Sequence, residues 1–147
     1  MMEASELMIG DLVRVNKDVC FKKGTIVRVH AIDGDINFPE KRMIGCVTCV
    51  PIDDPDGCSG GVWTAFLEPI PLTADILKNN GFDEERNVGY VYEDGEGNEV
   101  VVDLWNRNIR VLYERNLIIN RHEFWDVSVH KLQHSLKFCE IEKKIII

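Results

Sequence analysis

"PLTADILKNNGF", residues 71–82, contains a short helix with the signals for both of its ends. Thr73 is a good N-cap, because its hydroxyl can accept a hydrogen bond from a free N–H of the first turn. Asp75 complements the positive end of the helix dipole. Leu72 and Leu77 stand at N′ and N4, the spacing of a hydrophobic staple. Gly81 stands where a left-handed C′ residue belongs, and Phe82 can touch Leu77 across a Schellman cap. The cap-to-cap spacing predicts a helix of about two turns. Both flanks of this helix read as β, so it divides the chain and sets its class as α+β, mostly β.

Upstream, "LMIGDLVRV" alternates into Leu12, Val13 and Val15 after a Gly-Asp turn. "KKGTIVRVHAI" sets Ile26, Arg28 and His30 against Val27, Val29 and Ala31. "MIGCVTCVPI" is rich in β-formers, and "DDPDGCSGG" ends it as a loop. "VWTAFLEPI" is expected to be the next strand. Four or five short strands in this span predict an SH3-like small barrel over residues 1–71. Downstream, "VGYVYED", "EVVVDLW", "IRVLYE" and "LIINRHEFWDVSV" are β-rich runs, with "EDGEGNE" as a hairpin loop. They predict an antiparallel meander of three or four strands over residues 88–119. Residues 129–141, "VHKLQHSLKFCEI", then form a C-terminal helix packed on the sheet, with Ser128 or Asp126 as N-cap. "KKIII" reads as a frayed tail or a final short strand. The expected domains are 1–71 and 72–147, with no flexible linker between them, which leaves a single shared core open.

The composition is that of a globular protein: 147 residues, 45% hydrophobic and 29% charged. Net charge is −8, with 7 Lys and Arg against 11 Asp and Glu up to Leu72 and 10 against 14 after it. Neither part is a basic module, so nucleic-acid binding driven by charge is disfavoured. Five scattered cysteines and a start without a basic and apolar signal region fit reduced thiols and a cytoplasmic location. No apolar run is long enough to span a membrane as a helix.

Three motifs, in order, carry a resemblance: "IGDLV" at 9–13, "EPIPLTADILKNNGF" at 68–82 and "VHKLQHSLKFCEIEKKI" at 129–145. Together they resemble a group of small uncharacterised proteins of Bacteroidetes genomes and of their phages and mobile elements. The resemblance covers both ends and the centre of the chain. It implies a fold and a genomic setting, and it assigns no catalytic residue.

Four stretches raise a question of chemistry. On a helical wheel with Leu132 at 0°, Val129, Leu136 and Cys139 fall within about 60° of it, while His130, His134 and Lys137 fall at about 140–200°. The first set predicts a core stripe and the second an outward partner-binding face. Two histidines four apart can share a metal ion. Lys131, however, replaces the glutamate of H-E-x-x-H, and only His122, Glu123 or Asp126 could add a third ligand. "CVTC" at 46–49 sits in a strand-like run, where Cys46 and Cys49 point to opposite faces, which suits neither a zinc knuckle nor a redox dithiol. "DDPDG" at 53–57 lacks the ligand ladder of a calcium loop. Lys17, Lys22, Lys23 and Arg28 would line one edge of the barrel, in a rhythm similar to small barrels that bind nucleic acid or ribosomes. No row of aromatics accompanies them for base stacking.

No nucleophile elbow, P-loop or dinucleotide fingerprint is present. Trp63, Trp105 and Trp125 serve a core or a partner surface. The expectation is therefore a non-enzymatic protein-interaction protein without a cofactor, binding an unknown protein partner through His130, His134 and Lys137. The rival readings are a metal-binding protein or metal-dependent hydrolase at His130 and His134, and nucleic-acid binding by the barrel.

Overall fold

The computed structural model describes residues 2–36, 44–115, 118–124 and 127–147. The chain divides into two compact units, Met1–Ile70 and Pro71–Ile147. It is α+β and mostly β, with two antiparallel sheets and two α-helices.

The first unit holds β1 (Leu12–Val15), β2 (Ile26–Ile36), β3 (Ile44–Pro51), β4 (Gly60–Trp63) and β5 (Leu67–Pro69). Their order in the sheet is β4-β3-β2-β1-β5. β4 and β5 lie at opposite edges, so this sheet is open where the sequence suggested a closed barrel. Alternation along the strands sends Val13, Val15, Val27, Val29, Val47 and Cys49 into one core with Val62 and Leu67. "VWTAFLEPI" is not one strand. A 3-10 turn at Thr64–Phe66 separates β4 from β5. That break lets the chain leave β3 and pair with β1 on the far edge, which a continuous strand could not do. A second 3-10 turn, Ala4–Glu6, packs on Gly45, where an added Cβ would stand 2.3 Å from that of Ala4.

The second unit begins with α1 (Ala74–Asn79), then β6 (Asp83–Glu85), β7 (Gly89–Glu93), β8 (Glu99–Asp103), β9 (Asn108–Arg115), β10 (Ile118–Phe124) and α2 (Val129–Phe138). α1 closes as its sequence predicts. Thr73 Oγ1 accepts from Ile76 N–H at 3.2 Å. Gly81 has φ 78, and the N–H groups of Gly81 and Phe82 reach the carbonyls of Lys78 and Leu77 at 3.0 and 3.1 Å. The sheet has five strands in chain order, β10-β9-β8-β7-β6, and so extends beyond the expected 88–119 at both ends. β6, "DEE", has no β-forming side chain; it is placed by its pairing with β7 and by the ion pair of Glu84 with Lys78 of α1. On one face Val100, Val102, Ile109 and Val111 are buried, and α2 lies against β9. The last residues are neither a strand nor a frayed tail. Ile141 and Ile145 are buried, and the side chain of the buried Asn80 pairs with both backbone groups of Ile146 at 2.6 and 2.8 Å.

Sheet geometry fixes where the turns fall. The β6–β7 and β8–β9 connections lie at one end of the second sheet, and the β7–β8 connection lies at the other.

Candidate functional site

The structure divides the histidine face of α2. Lys137 is exposed and His134 half-buried, but His130 is only 2% exposed. The wheel measures direction from the helix axis alone. In the fold, the N-cap residue Ser128 bridges to Pro71 at the start of the unit, and what lies beyond the helix decides which residues are buried. Ser128 is the N-cap residue, yet its hydroxyl makes no cap bond; it shares a 3.0 Å hydrogen bond with His130 Nδ1. The rings of His130 and His134 meet edge-on, with centroids 5.6 Å apart. Asp126 lies outside the described residues, as does the side chain of His122, and Glu123 is exposed. No cluster of three or more His, Cys, Asp or Glu that could hold a metal exists among the described residues.

The cysteine motif lies on β3, with Cys46 opposite Trp63 and the buried Cys49 opposite Val29 and Gly60. Cys20, from the β1–β2 connection, comes to the same strands, its Sγ 3.6 Å from the Gly61 carbonyl. Spacing could not show this, because the approach is tertiary. Burial pushes the Cys49 thiol up to about 12, with Cys20 and Cys46 adding to the rise. Burial also raises Cys46, beside Asp33 and Cys20. Thiols held protonated are poor nucleophiles and poor metal ligands. The basic residues of the first unit do not form one row. Lys17 lies over the Phe66 ring at 4.8 Å, and Arg28 reaches back to the Gly10 carbonyl at 3.3 Å. "DDPDG" is a turn closed by Gly57 N–H on the Asp54 carbonyl at 3.0 Å.

The most exposed large hydrophobic side chain in the described residues is Trp105, at 92%. It stands on the β8–β9 turn, at the end of the sheet shared with the β6–β7 turn. The turn is fixed by Asp103, whose carboxylate accepts from the N–H groups of Trp105 and Asn106 at 3.0 and 2.9 Å and from the Asn106 side chain at 2.7 Å. The Asn106 bonds, with Trp105 N–H and the nearby Arg110 guanidinium, hold the Asp103 carboxyl below the usual carboxylate range. Across from it, the β6–β7 turn places Asn87 at φ 63 and Gly89 at φ 125. Gly89 is required by close approach, since a Cβ there would lie 2.6 Å from the Val102 carbonyl oxygen. Arg110 ties the two turns together by donating to the Val88 carbonyl at 3.4 Å.

Between the turns lies an open groove of about 710 Å³, with Trp105, Tyr90, Glu85 and Arg86 among its lining residues. Beside Asp103 on the neighbouring strand, Asn108 Oδ1 and Arg110 Nε are buried without a hydrogen-bond partner among the described residues. The sequence signal for this site was slight: a tryptophan between Leu104 and Asn106, in a span read as the end of a strand.

No helix among the described residues is long and apolar enough to cross a membrane. Comparison with protein-family models, with curated proteins and with solved structures yields no match for the chain.

Proposed function

We propose that this chain is a non-enzymatic protein-interaction protein whose contact surface is the Trp105 end of the second sheet. One observation carries the reading: a tryptophan 92% exposed on a turn that its own aspartate holds rigid. Exposing an indole to water is costly, and covering it with a partner recovers on the order of 2 kcal/mol. A fixed turn also loses little entropy when it binds. The groove beside Trp105 gives a partner a concave surface to enter. The metal-dependent reading draws no support from His130, which is buried and bonded to Ser128. In this reading the first unit is a small SH3-like scaffold, with the 3-10 turn before β5 as its support. The genomic setting implied by the three motifs, a phage or mobile element, suits an adaptor that acts by binding.

Selection from a random peptide-display library tests the proposal. Peptides are expected to enrich on the wild-type chain and on Lys137→Ala, and to fail on Trp105→Ala. Equal enrichment on Trp105→Ala, or none on any chain, would overturn it.

A further inference from the structure

The sequence holds one Asn-Gly pair, Asn80-Gly81, and it closes α1. Asparagine before glycine is the pair most open to deamidation, because without a Cβ in the way the glycine nitrogen can reach the asparagine side-chain carbon. Asn80 is 5% exposed, and both hydrogens of its amide are used. Nδ2 donates to the carbonyls of Ile76 and Ile146 at 2.7 and 2.6 Å, and Oδ1 accepts from Ile146 N–H at 2.8 Å. Gly81 is exposed, and its N–H is donated to the Lys78 carbonyl at 3.0 Å. The attacking nitrogen and the leaving nitrogen are thus both held while Ile146 stays docked. The segment around Ile146 is fixed further by the buried Ile145 and by Lys143, whose amine lies 4.3 Å from the centre of the Tyr92 ring. α2 closes through Ile141 N–H on Leu136, so the part that depends on Asn80 begins beyond Ile141.

We propose that Asn80 is a deamidation site whose conversion releases residues 142–147 in one direction only. The reaction waits for the last turn of α1 to open. The Gly81 nitrogen then bonds to Asn80 Cγ, the Cγ–Nδ2 bond breaks, and the proton of the Gly81 N–H leaves with Nδ2 as ammonia. Water opens the cyclic imide: its hydroxyl adds to Cγ or to the Asn80 main-chain carbonyl carbon, and its proton returns to the Gly81 nitrogen. The product is aspartate or isoaspartate, and nothing is oxidised or reduced. An ionised carboxylate accepts hydrogen bonds and donates none. Aspartate therefore sets an oxygen where Nδ2 stood, against the carbonyl oxygens of Ile76 and Ile146. Acceptor meets acceptor in a buried place, which disfavours the docked state strongly. Ile146 does not return, and Ile145 passes into water. Docking thus protects Asn80, and intact Asn80 keeps the segment docked.

The test ages the full chain in warm, mildly alkaline buffer and follows two quantities by mass spectrometry: the acid at residue 80 in a peptide map, and hydrogen exchange of residues 142–147. Wild type is expected to convert slowly while folded and faster in urea. Ile145→Ala loosens the segment from its apolar side and should convert about tenfold faster than wild type in the folded state. In aged wild type, the chains that carry the acid should exchange residues 142–147 about tenfold faster than intact chains, while β7 and β8 keep their protection. Asn80→Asp, made directly, should show the same exchange pattern. A conversion rate unchanged by Ile145→Ala, acid-bearing chains that keep the segment protected, or no conversion even in urea would each overturn the proposal. Loss of protection in β7 and β8 of the aged wild type would also overturn it, since the acid would then unfold the unit rather than release one segment.

Discussion

The two ends of the second sheet use the same device for different results. At one end Asp94 accepts from the N–H groups of Glu96 and Asn98 at 2.8 and 3.1 Å and from the Asn98 side chain. At the other, Asp103 accepts from Trp105 and Asn106 N–H and from the Asn106 side chain. Both carboxyls sit below their usual range. At Asp94 burial works against that lowering and the Asn98 and Glu96 bonds outweigh it, whereas at Asp103 the Asn106 bonds lead. The Asp94 staple closes a loop whose tip holds Gly95 and Gly97, and the Asp103 staple displays Trp105 and Arg107. A rigid turn is therefore not a sign of function by itself. What differs is the side chain that the rigidity presents.

The sharpest way to separate the two ends is through a glycine at each. Gly89 needs both its backbone conformation and the space where a Cβ would be, against the Val102 carbonyl. Gly95, at φ 80, has nothing within 4 Å of an added Cβ. Gly89→Ala should cost about 3 kcal/mol, from strain plus overlap with backbone. Gly95→Ala should cost about 1 kcal/mol, from strain alone. Urea melts of the two variants measure the gap. Equal midpoints would mean that the Trp105 end is no more tightly built than its counterpart.

The aspartates give the next effect. Asp94→Ala and Asp103→Ala each remove three hydrogen bonds to a carboxylate and should each cost about 1–2 kcal/mol. Because both folded pKa values are lowered, the stability they supply is fully present above the unfolded value of about 3.9. It is lost as pH falls through the folded values. The wild-type melting temperature should therefore drop on acidification below about pH 4, and the Asp94→Asn, Asp103→Asn double variant should show a shallower drop. An unchanged acid slope would remove both carboxylates as staples.

The same pair shows what sequence could and could not reveal. "EDGEGNE" is legible as a hairpin loop because its glycines accept positive φ. "DLWNRN" reaches an equally tight turn with Arg107 at φ 55, a position that no residue preference marks. The helix ends repeat the contrast. α1 closes on Gly81, and its cap could be read directly. α2 closes with the same pair of bonds, from Glu140 N–H to Lys137 and from Ile141 N–H to Leu136, but on Glu140 at φ 59. Period-two patterning placed the strands of both units. It could not reveal that the first sheet stays open, that a 3-10 turn splits "VWTAFLEPI", or that β6 forms from three acidic residues. Those depend on which strand edges meet. His130 fails for a related reason: periodicity describes a helix facing one layer, and His130 is buried although it lies on the side away from Leu132 and Leu136.

The smallest effect is expected where the largest exposed side chain stands. Trp105 is 92% exposed, and its contribution to the turn is its backbone N–H, donated to Asp103. Trp105→Ala keeps that N–H and removes an indole that is almost wholly in water. Its unfolding free energy should then lie within about 0.5 kcal/mol of wild type. A core tryptophan cut back to alanine would lose about 3–5 kcal/mol. The prediction separates two roles that exposure alone does not. If Trp105→Ala melts with the wild type yet loses partner binding, the indole belongs to recognition and the staple beneath it to structure. If the variant is destabilised by several kcal/mol, Trp105 holds the fold together, and the contact surface must be sought elsewhere on the chain.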